Sequence, residues 1–263
     1  MKHLTIALAV ITLGIACSHP VDKESAKSVW QSLFNGVDLT GWTPKFSGYK
    51  AGMDYKHTFM VEDSALRVNY AEYDTFRQEF GHLITDQSFQ YYRLRLEYRF
   101  SGPVTPGAPD WAIRNNGVMI FCQSAESMNL DQDFPVSVEV QLLGGNGNDV
   151  RPTGNLCTPG TNVYMGDTLV TEHCTNSTSR TYPDDQWIHL EVAVMPDGHV
   201  WHIVEGDTVM GYRYPVIGGG YLPDNFPMHE GDTLRSGYIA LQAESHPTEF
   251  RHIMIQPITE TPD

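Results

Sequence analysis

From Trp30 onward, apolar and polar residues alternate with a period of two over many short segments, each bounded by turn-forming residues. Tyr92, Leu94, Leu96, Tyr98 and Phe100 oppose Arg93, Arg95, Glu97 and Arg99. Ile188, Leu190, Val192 and Val194 likewise oppose Trp187, His189, Glu191 and Ala193. Successive side chains of a strand point to opposite faces, so this pattern describes half-buried strands. It predicts strands over 58–62, 65–70, 82–85, 91–100, 117–122, 136–143, 187–195, 199–205, 208–212, 237–242 and 249–256. Met195-Pro-Asp-Gly-His199 reads as a hairpin turn between two of them. Little of the chain reads as helix. Many short strands punctuated by Gly and Pro predict an all-β sandwich or jelly roll. No composition shift splits it, so one domain is expected over 30–258, with 259–263 as a tail. The long connections 101–116, 123–135, 144–185 and 214–236 are where function is expected to lie.

One strand stands apart. In Val136-Ser-Val-Glu-Val-Gln-Leu-Leu143, the residues Val136, Val138, Val140 and Leu142 point one way and Ser137, Glu139 and Gln141 the other. An ionised carboxylate in mid-strand is costly unless it is solvated, paired or functional. The polar stripe is therefore either a solvent-facing strand face or a surface that meets a polar ligand.

With 263 residues, 41% of them hydrophobic, the chain can build one sizeable core. Its net charge of −15 repels nucleic acid and anionic lipid, which excludes a nucleic-acid role. Lys2 and His3 precede the apolar run Leu4–Ala16, which is short for a membrane span and has the length of a signal-peptide core. The run ends Leu13-Gly-Ile-Ala-Cys17, which resembles a bacterial lipoprotein signal. Residues 1–17 are thus expected to direct export, with a lipid on Cys17 as the only membrane attachment and 18–29 as a polar tether. Plain secretion is the alternative, and the expected location is the periplasm or the outer membrane. Cys157 and Cys174 flank a Gly/Thr/Asn-rich stretch and are expected to form a disulfide, which export permits. Cys122 lies in the apolar run Val118–Cys122 and is expected as a buried thiol.

Several segments, in order, resemble one family. Leu33-Phe-Asn-Gly-Val-Asp-Leu-Thr-Gly-Trp42 is similar to the opening signature of the 3-keto-disaccharide hydrolase domain. Asn115-Asn-Gly-Val-Met-Ile-Phe121, Val138-Glu-Val-Gln-Leu142 and Arg151-Pro-Thr-Gly154 resemble its central strands and turn. Val200-Trp-His-Ile-Val-Glu-Gly206, Gly237-Tyr-Ile-Ala-Leu-Gln242 and Glu249-Phe-Arg-His-Ile253 resemble its closing segments. Two positions depart from the pattern: Glu205 and His252 stand where the family carries Asn. The resemblance implies a concanavalin A-like jelly roll of two curved antiparallel sheets with a carbohydrate-facing concave side. It also implies a small carbohydrate substrate carrying a 3-keto group.

A 3-ketone acidifies the neighbouring C2 proton, so one base, one acid and a stabiliser for the enolate oxygen suffice. The paired carboxylates of ordinary glycosidases are not required, and the strand at Glu139 has Gln141 where a conventional jelly-roll glucanase carries a second acid. Glu139 is the expected general base or metal ligand. Gln141 and Gln242 are expected to contact substrate. Arg114 is expected to stabilise an oxyanion, with a structural ion pair as its other role. Asn115 and Asn116 either contact ligand or shape a turn. His202 is either catalytic or a satisfied sheet histidine. Glu244 and His246, with Glu139, are the expected ligands of one divalent cation. Trp111, Tyr164, Trp201 and Tyr221 are the candidate sugar-stacking platforms. These features read together as an exported enzyme cleaving 3-keto-glycosides by elimination or net hydrolysis. The alternative is a non-catalytic carbohydrate-binding module on the same fold.

Overall fold

The computed structural model describes residues 29–183 and 185–258. The expected signal segment with Cys17, most of the expected tether and the expected tail at 259–263 lie outside the described residues. Seventeen strands follow in chain order: β1 (Gln31–Ser32), β2 (Trp42–Phe46), β3 (Phe59–Glu62), β4 (Ala65–Val68), β5 (Gly81–Thr85), β6 (Tyr92–Phe100), β7 (Asn115–Cys122), β8 (Val138–Leu143), β9 (Asn155–Cys157), β10 (Thr161–Met165), β11 (Thr168–Val170), β12 (Cys174–Thr175), β13 (Ile188–Val194), β14 (His199–Val204), β15 (Asp207–Ile217), β16 (Tyr238–Ala243) and β17 (Thr248–Pro257). Three short 3-10 turns are the helical content of the described residues.

The strands form two sheets. Sheet A runs β11-β10-β15-β14-β13-β6-β17-β4-β3, with β1 added on β17. Sheet B runs β12-β9-β8-β7-β16-β5-β2. Neighbours pair antiparallel, as in a jelly-roll sandwich. The core lies between the sheets, where Leu94, Leu96 and Tyr98 of β6 meet Val138, Val140 and Leu142 of β8 in one cluster. Each such buried side chain stabilises the fold by about 1.5–3 kcal/mol.

Sheet B is covered on its other face as well. Ile84, Met119 and Ala240 pack there against Ala125 and Met128 from the 123–135 connection. This explains why every residue of β7 is buried and why its sequence reads as a nearly continuous apolar run.

The outward face of sheet A is an Arg–Glu lattice. Glu249, 3% exposed, accepts from Arg67 at 2.8 Å and from Arg99 at 2.7 Å. Burial raises its pKa, but the hydrogen bonds from Arg99 and Arg67 outweigh this and hold it below the ordinary value. Trp187 lies between Arg99 and Arg251, 4.6 and 4.0 Å from its ring centre.

The alternating segments became strands with small shifts at their ends. Unforeseen were β1, β2, with Pro44 on the edge of sheet B, the extension of the 208–212 strand to Ile217 in β15, and the short strands β9 to β12 inside the long 144–185 connection. Pro removes a ladder donor and is tolerated at an edge, so it hides a strand from pattern reading. Two- and three-residue strands are too short to show a period. The disulfide Cys157–Cys174 joins β9 to β12 as expected, and Cys122 is a buried free thiol.

Candidate active site

Residues directly opposite on neighbouring strands share a face, so register decides which side chains meet. On the outward face of sheet B one transverse row runs Cys157, Glu139, Met119, Ala240 and Ile84. The next row runs Asn155, Gln141, Gly117, Gln242, His82 and Lys45, with Gly117 and Gln242 adjacent to the registered pair Val118 and Leu241. A polar row across an otherwise apolar sheet is what the stripe on β8 announced, and it lies beneath a cavity rather than open solvent.

The cavity has a volume of about 500 Å³. Glu139, Gln141, Asn115 and Glu244 line its polar part, Asp149 and Arg151 one wall, and Trp111, Phe134, His173 and Tyr221 the aromatic side. Gly117 makes room at the floor. A β-carbon there would stand 2.5 Å from Glu139 Oε1 and 2.9 Å from Gln242 Oε1. Only a residue without a side chain lets both oxygens close over the strand.

Two carboxyls share this floor. Glu139 is 7% exposed and Glu244 is 4% exposed. Burial pushes Glu139 up to about 8. Burial raises Glu244 well above the usual carboxylate range, and the neighbouring Glu139 charge raises it further. Both carboxyls are raised and they repel each other as anions, so the pair favours one carboxylate and one carboxylic acid over two carboxylates. Gln242 Nε2 donates to Glu244 Oε1 at 2.9 Å, while Glu244 Oε2 is buried without a hydrogen-bond partner. Protonated on Oε2, Glu244 presents a donor.

The other expected residues divide. Gln141 lines the cavity, and its Oε1 accepts from Asn155 Nδ2 at 3.0 Å. Asn115 lines it with an unpartnered buried Oδ1. Gln242, expected to contact substrate, is fully buried beside Glu139 and does not itself line the cavity; its Oε1 is unpartnered. Trp111 stands at the rim, 51% exposed and stacked on Phe80. Asn116 is structural: its Nδ2 donates to the Gln242 carbonyl and its Oδ1 accepts from the Gly117 N–H.

Three expectations are corrected. His202 is not at the site. It is fully buried between the Gly154 carbonyl, 2.9 Å away, and the Tyr212 hydroxyl, 3.0 Å away, and burial lowers its pKa to about 4. It is a satisfied core histidine. Arg114 is ion-paired with Asp185 at 2.8 Å and does not line the cavity. The cationic wall residue is Arg151, whose terminal nitrogen donates to the Ile113 carbonyl and whose Nε is buried without a partner. His246 does not join Glu139 and Glu244 as a metal ligand. Its Nδ1 accepts from the Arg114 N–H at 3.2 Å and its ring packs edge-on against Phe100. Burial, then the Arg114 charge, lower its pKa, and its Nε2 is buried without a hydrogen-bond partner. Among the described residues no group of three His, Cys, Asp or Glu side chains is placed to hold a metal. Tyr221 is at the cavity, whereas Tyr164 on β10 and Trp201 on β14 belong to sheet A.

Sequence reasoning missed the roles of Arg151, Phe134 and His173, which lie in connections without a period. Gly117 was detectable, because a lone Gly inside an apolar strand signals close approach of other groups. The two departures from the family pattern also resolve. Glu205 and His252 both have φ +52°, a left-handed conformation that Asn enters easily. Asn at those positions answers a backbone need, and neither residue lines the cavity.

A family model described as the 3-keto-alpha-glucoside-1,2-lyase-like domain matches residues 29–256. Among solved structures, a candidate glycosyl hydrolase from Parabacteroides distasonis ATCC 8503 is 18% identical with a TM-score of 0.55, over 90% of this chain and 97% of that one. A second candidate glycosyl hydrolase from the same organism is 16% identical with a TM-score of 0.52, over 88% of this chain and 100% of that one. At such identities the likeness speaks for the fold. No curated protein matches the chain. With the match running from the first described residue to within two residues of the last, the chain belongs to the 3-keto-alpha-glucoside-1,2-lyase-like domain family.

Proposed function

We propose that this protein is an exported carbohydrate-active enzyme that cleaves 3-keto-glycosides by elimination across C1 and C2. The observation that supports the reading is the buried pair Glu139 and Glu244 at the cavity, two carboxyls whose burial and mutual repulsion favour a single proton between them, as a base and an acid working together require. Family membership supports the substrate class.

In this reading the Glu139 carboxylate takes the C2 proton, and the C2–H electron pair moves toward the C3 carbonyl to give an enolate. The electrons return to form the C1–C2 double bond, and the bond from C1 to the leaving oxygen breaks. Glu244 gives its Oε2 proton to that oxygen, so one proton leaves the sugar and one joins the alcohol released. Arg151 offers the positive charge on the cavity wall for the enolate oxygen. Asn115 and Gln141 offer acceptors and amide groups to the sugar hydroxyls, and the buried floor keeps water from the proton-transfer groups. The divalent cation expected at Glu139, Glu244 and His246 does not fit this reading, in which Glu139 takes a proton and Glu244 holds one, and no group of three His, Cys, Asp or Glu side chains among the described residues is placed to hold it.

The test is nitrophenol release from a 3-keto-glucoside beside its unoxidised parent, with and without EDTA, for the wild type and Glu139→Gln. Turnover of the keto substrate alone, lost in Glu139→Gln, is the expected result. Turnover of the parent at a similar rate points to an ordinary glycosidase. Binding of both without turnover points to a carbohydrate-binding module.

A further inference from the structure

The cavity lining is chemically of two kinds. Around Glu139 and Glu244 the lining is polar. Phe134, Tyr221 and His173 meet as a corner of rings on its aromatic side: Phe134 and Tyr221 lie 5.7 Å apart at 80°, and Tyr221 and His173 lie 5.0 Å apart at 44°. The disulfide continues this wall, since Cys157 and Cys174 both face the cavity and Cys157 stands directly opposite Glu139 on the neighbouring strand. Burial holds His173 below its ordinary pKa, so the corner carries no charge at neutral pH.

A pyranose stacks on one open, flat aromatic face. Trp111 offers such a face, because it lies at 21° to Phe80 and stays half exposed. The Phe134–Tyr221–His173 corner does not, because its rings meet at steep angles. It offers a ring face and ring edges together, which is how an aromatic guest is held. The Tyr221 hydroxyl and one imidazole are the few polar atoms there, against the several hydroxyls of a second sugar.

We infer that this corner is a subsite for a planar, apolar leaving group, so the favoured substrates are glycosides of aromatic alcohols rather than disaccharides. This rests on the reading of the cavity as a glycoside site. The sugar lies at the polar part over Glu139, and the aglycone reaches the disulfide and the aromatic corner.

The experiment is calorimetric binding of four ligands to Glu139→Gln: phenyl and methyl α-glucoside, each with and without the 3-keto group. The expected result is a phenyl-over-methyl preference of about tenfold or more, the scale of one well-formed aromatic contact. Phe134→Leu and Tyr221→Asn, each added to Glu139→Gln, are expected to reduce that preference to about threefold or less. Asn suits position 221 because Tyr221 has φ +67°. Equal phenyl and methyl affinities, no binding of any ligand, or a preference that survives both substitutions overturns the subsite. The reaction reading is judged separately by the keto-over-parent ratio, and its failure leaves the phenyl-over-methyl ratio readable.

Discussion

Glu139 Oε1 lies 2.5 Å from the point where a β-carbon on Gly117 would stand, so the candidate base occupies space that one glycine leaves open on the next strand. The backbone of Gly117 is not in the left-handed region, and alanine can adopt it. Gly117→Ala is therefore a test of space alone. The methyl group must displace both Glu139 and Gln242. The expected outcome is a folded protein with kcat/KM lowered about a hundredfold and stability lowered by about 1–3 kcal/mol. Steady-state kinetics beside thermal unfolding checks it, and an unchanged kcat/KM would show that Glu139 needs no fixed position.

The carboxyl pair gives activity a defined pH profile. Activity that needs Glu139 ionised rises with pH through about 8. It falls at higher pH as Glu244, raised by burial and by the Glu139 charge, loses its proton. Glu244→Gln is expected to remove the alkaline limb and keep the acidic limb. A wild-type acidic limb near pH 4.5 would contradict the raised value.

The same pair makes stability depend on pH with a fixed sign. The folded pKa of Glu139 is raised above its unfolded value, so its favourable contribution is present in full below the unfolded pKa and is lost as pH rises toward the folded one. Between the model-peptide value and pH 7 this amounts to about 3 kcal/mol. Glu139→Gln, which stays neutral, is expected to be more stable than the wild type at pH 7 and to lose that advantage at pH 4. Urea unfolding at both pH values measures it.

The disulfide links the aromatic side of the cavity to the strand beside Glu139. It closes a loop of sequence separation 17, and opening a loop of that size costs about 3 kcal/mol. Cys157→Ser with Cys174→Ser is expected to lower the unfolding midpoint accordingly and to raise KM more than it lowers kcat, because β12 and His173 lose their tie to β9 while Glu139 stays on β8. A pure loss of kcat would place the disulfide's role elsewhere.

His202 offers a contrast. It is closed in by the Gly154 carbonyl and the Tyr212 hydroxyl, far from a catalytic position in its bonding if not in its residue type. His202→Ala leaves a cavity and an unpaired buried hydroxyl, so destabilisation of about 2–4 kcal/mol is expected. Activity per folded molecule is expected to survive, as measured by active-fraction-corrected kinetics; a complete loss in well-folded protein would return His202 to the machinery.

Much was legible in the chain because the governing rules are local. Alternation in Tyr92–Phe100 and Ile188–Val194 reports which side chains face the core, and each became a strand of sheet A. The stripe on β8 put Glu139 and Gln141 on one polar face, which became the cavity floor. The Cys157–Cys174 pair followed from closeness in sequence. Where local rules conflict the reading failed: Pro44 concealed β2, and the two-residue β12 has no period to show.

The sequence by itself determined the strands, their faces, the acidic surface and the resemblance of ordered motifs. Only the tertiary structure decided which polar residues share a site. The order β9-β8-β7-β16 brings Glu139 beside Gln242 and Glu244, about a hundred residues away, and leaves His202 on the other sheet. Arg114 and Arg151 are equally basic on paper, yet one is ion-paired outside the cavity and the other stands on its wall. Such choices rest on register between distant strands, where a slip of one residue turns every side chain to the opposite face, and no local pattern in the chain encodes that register.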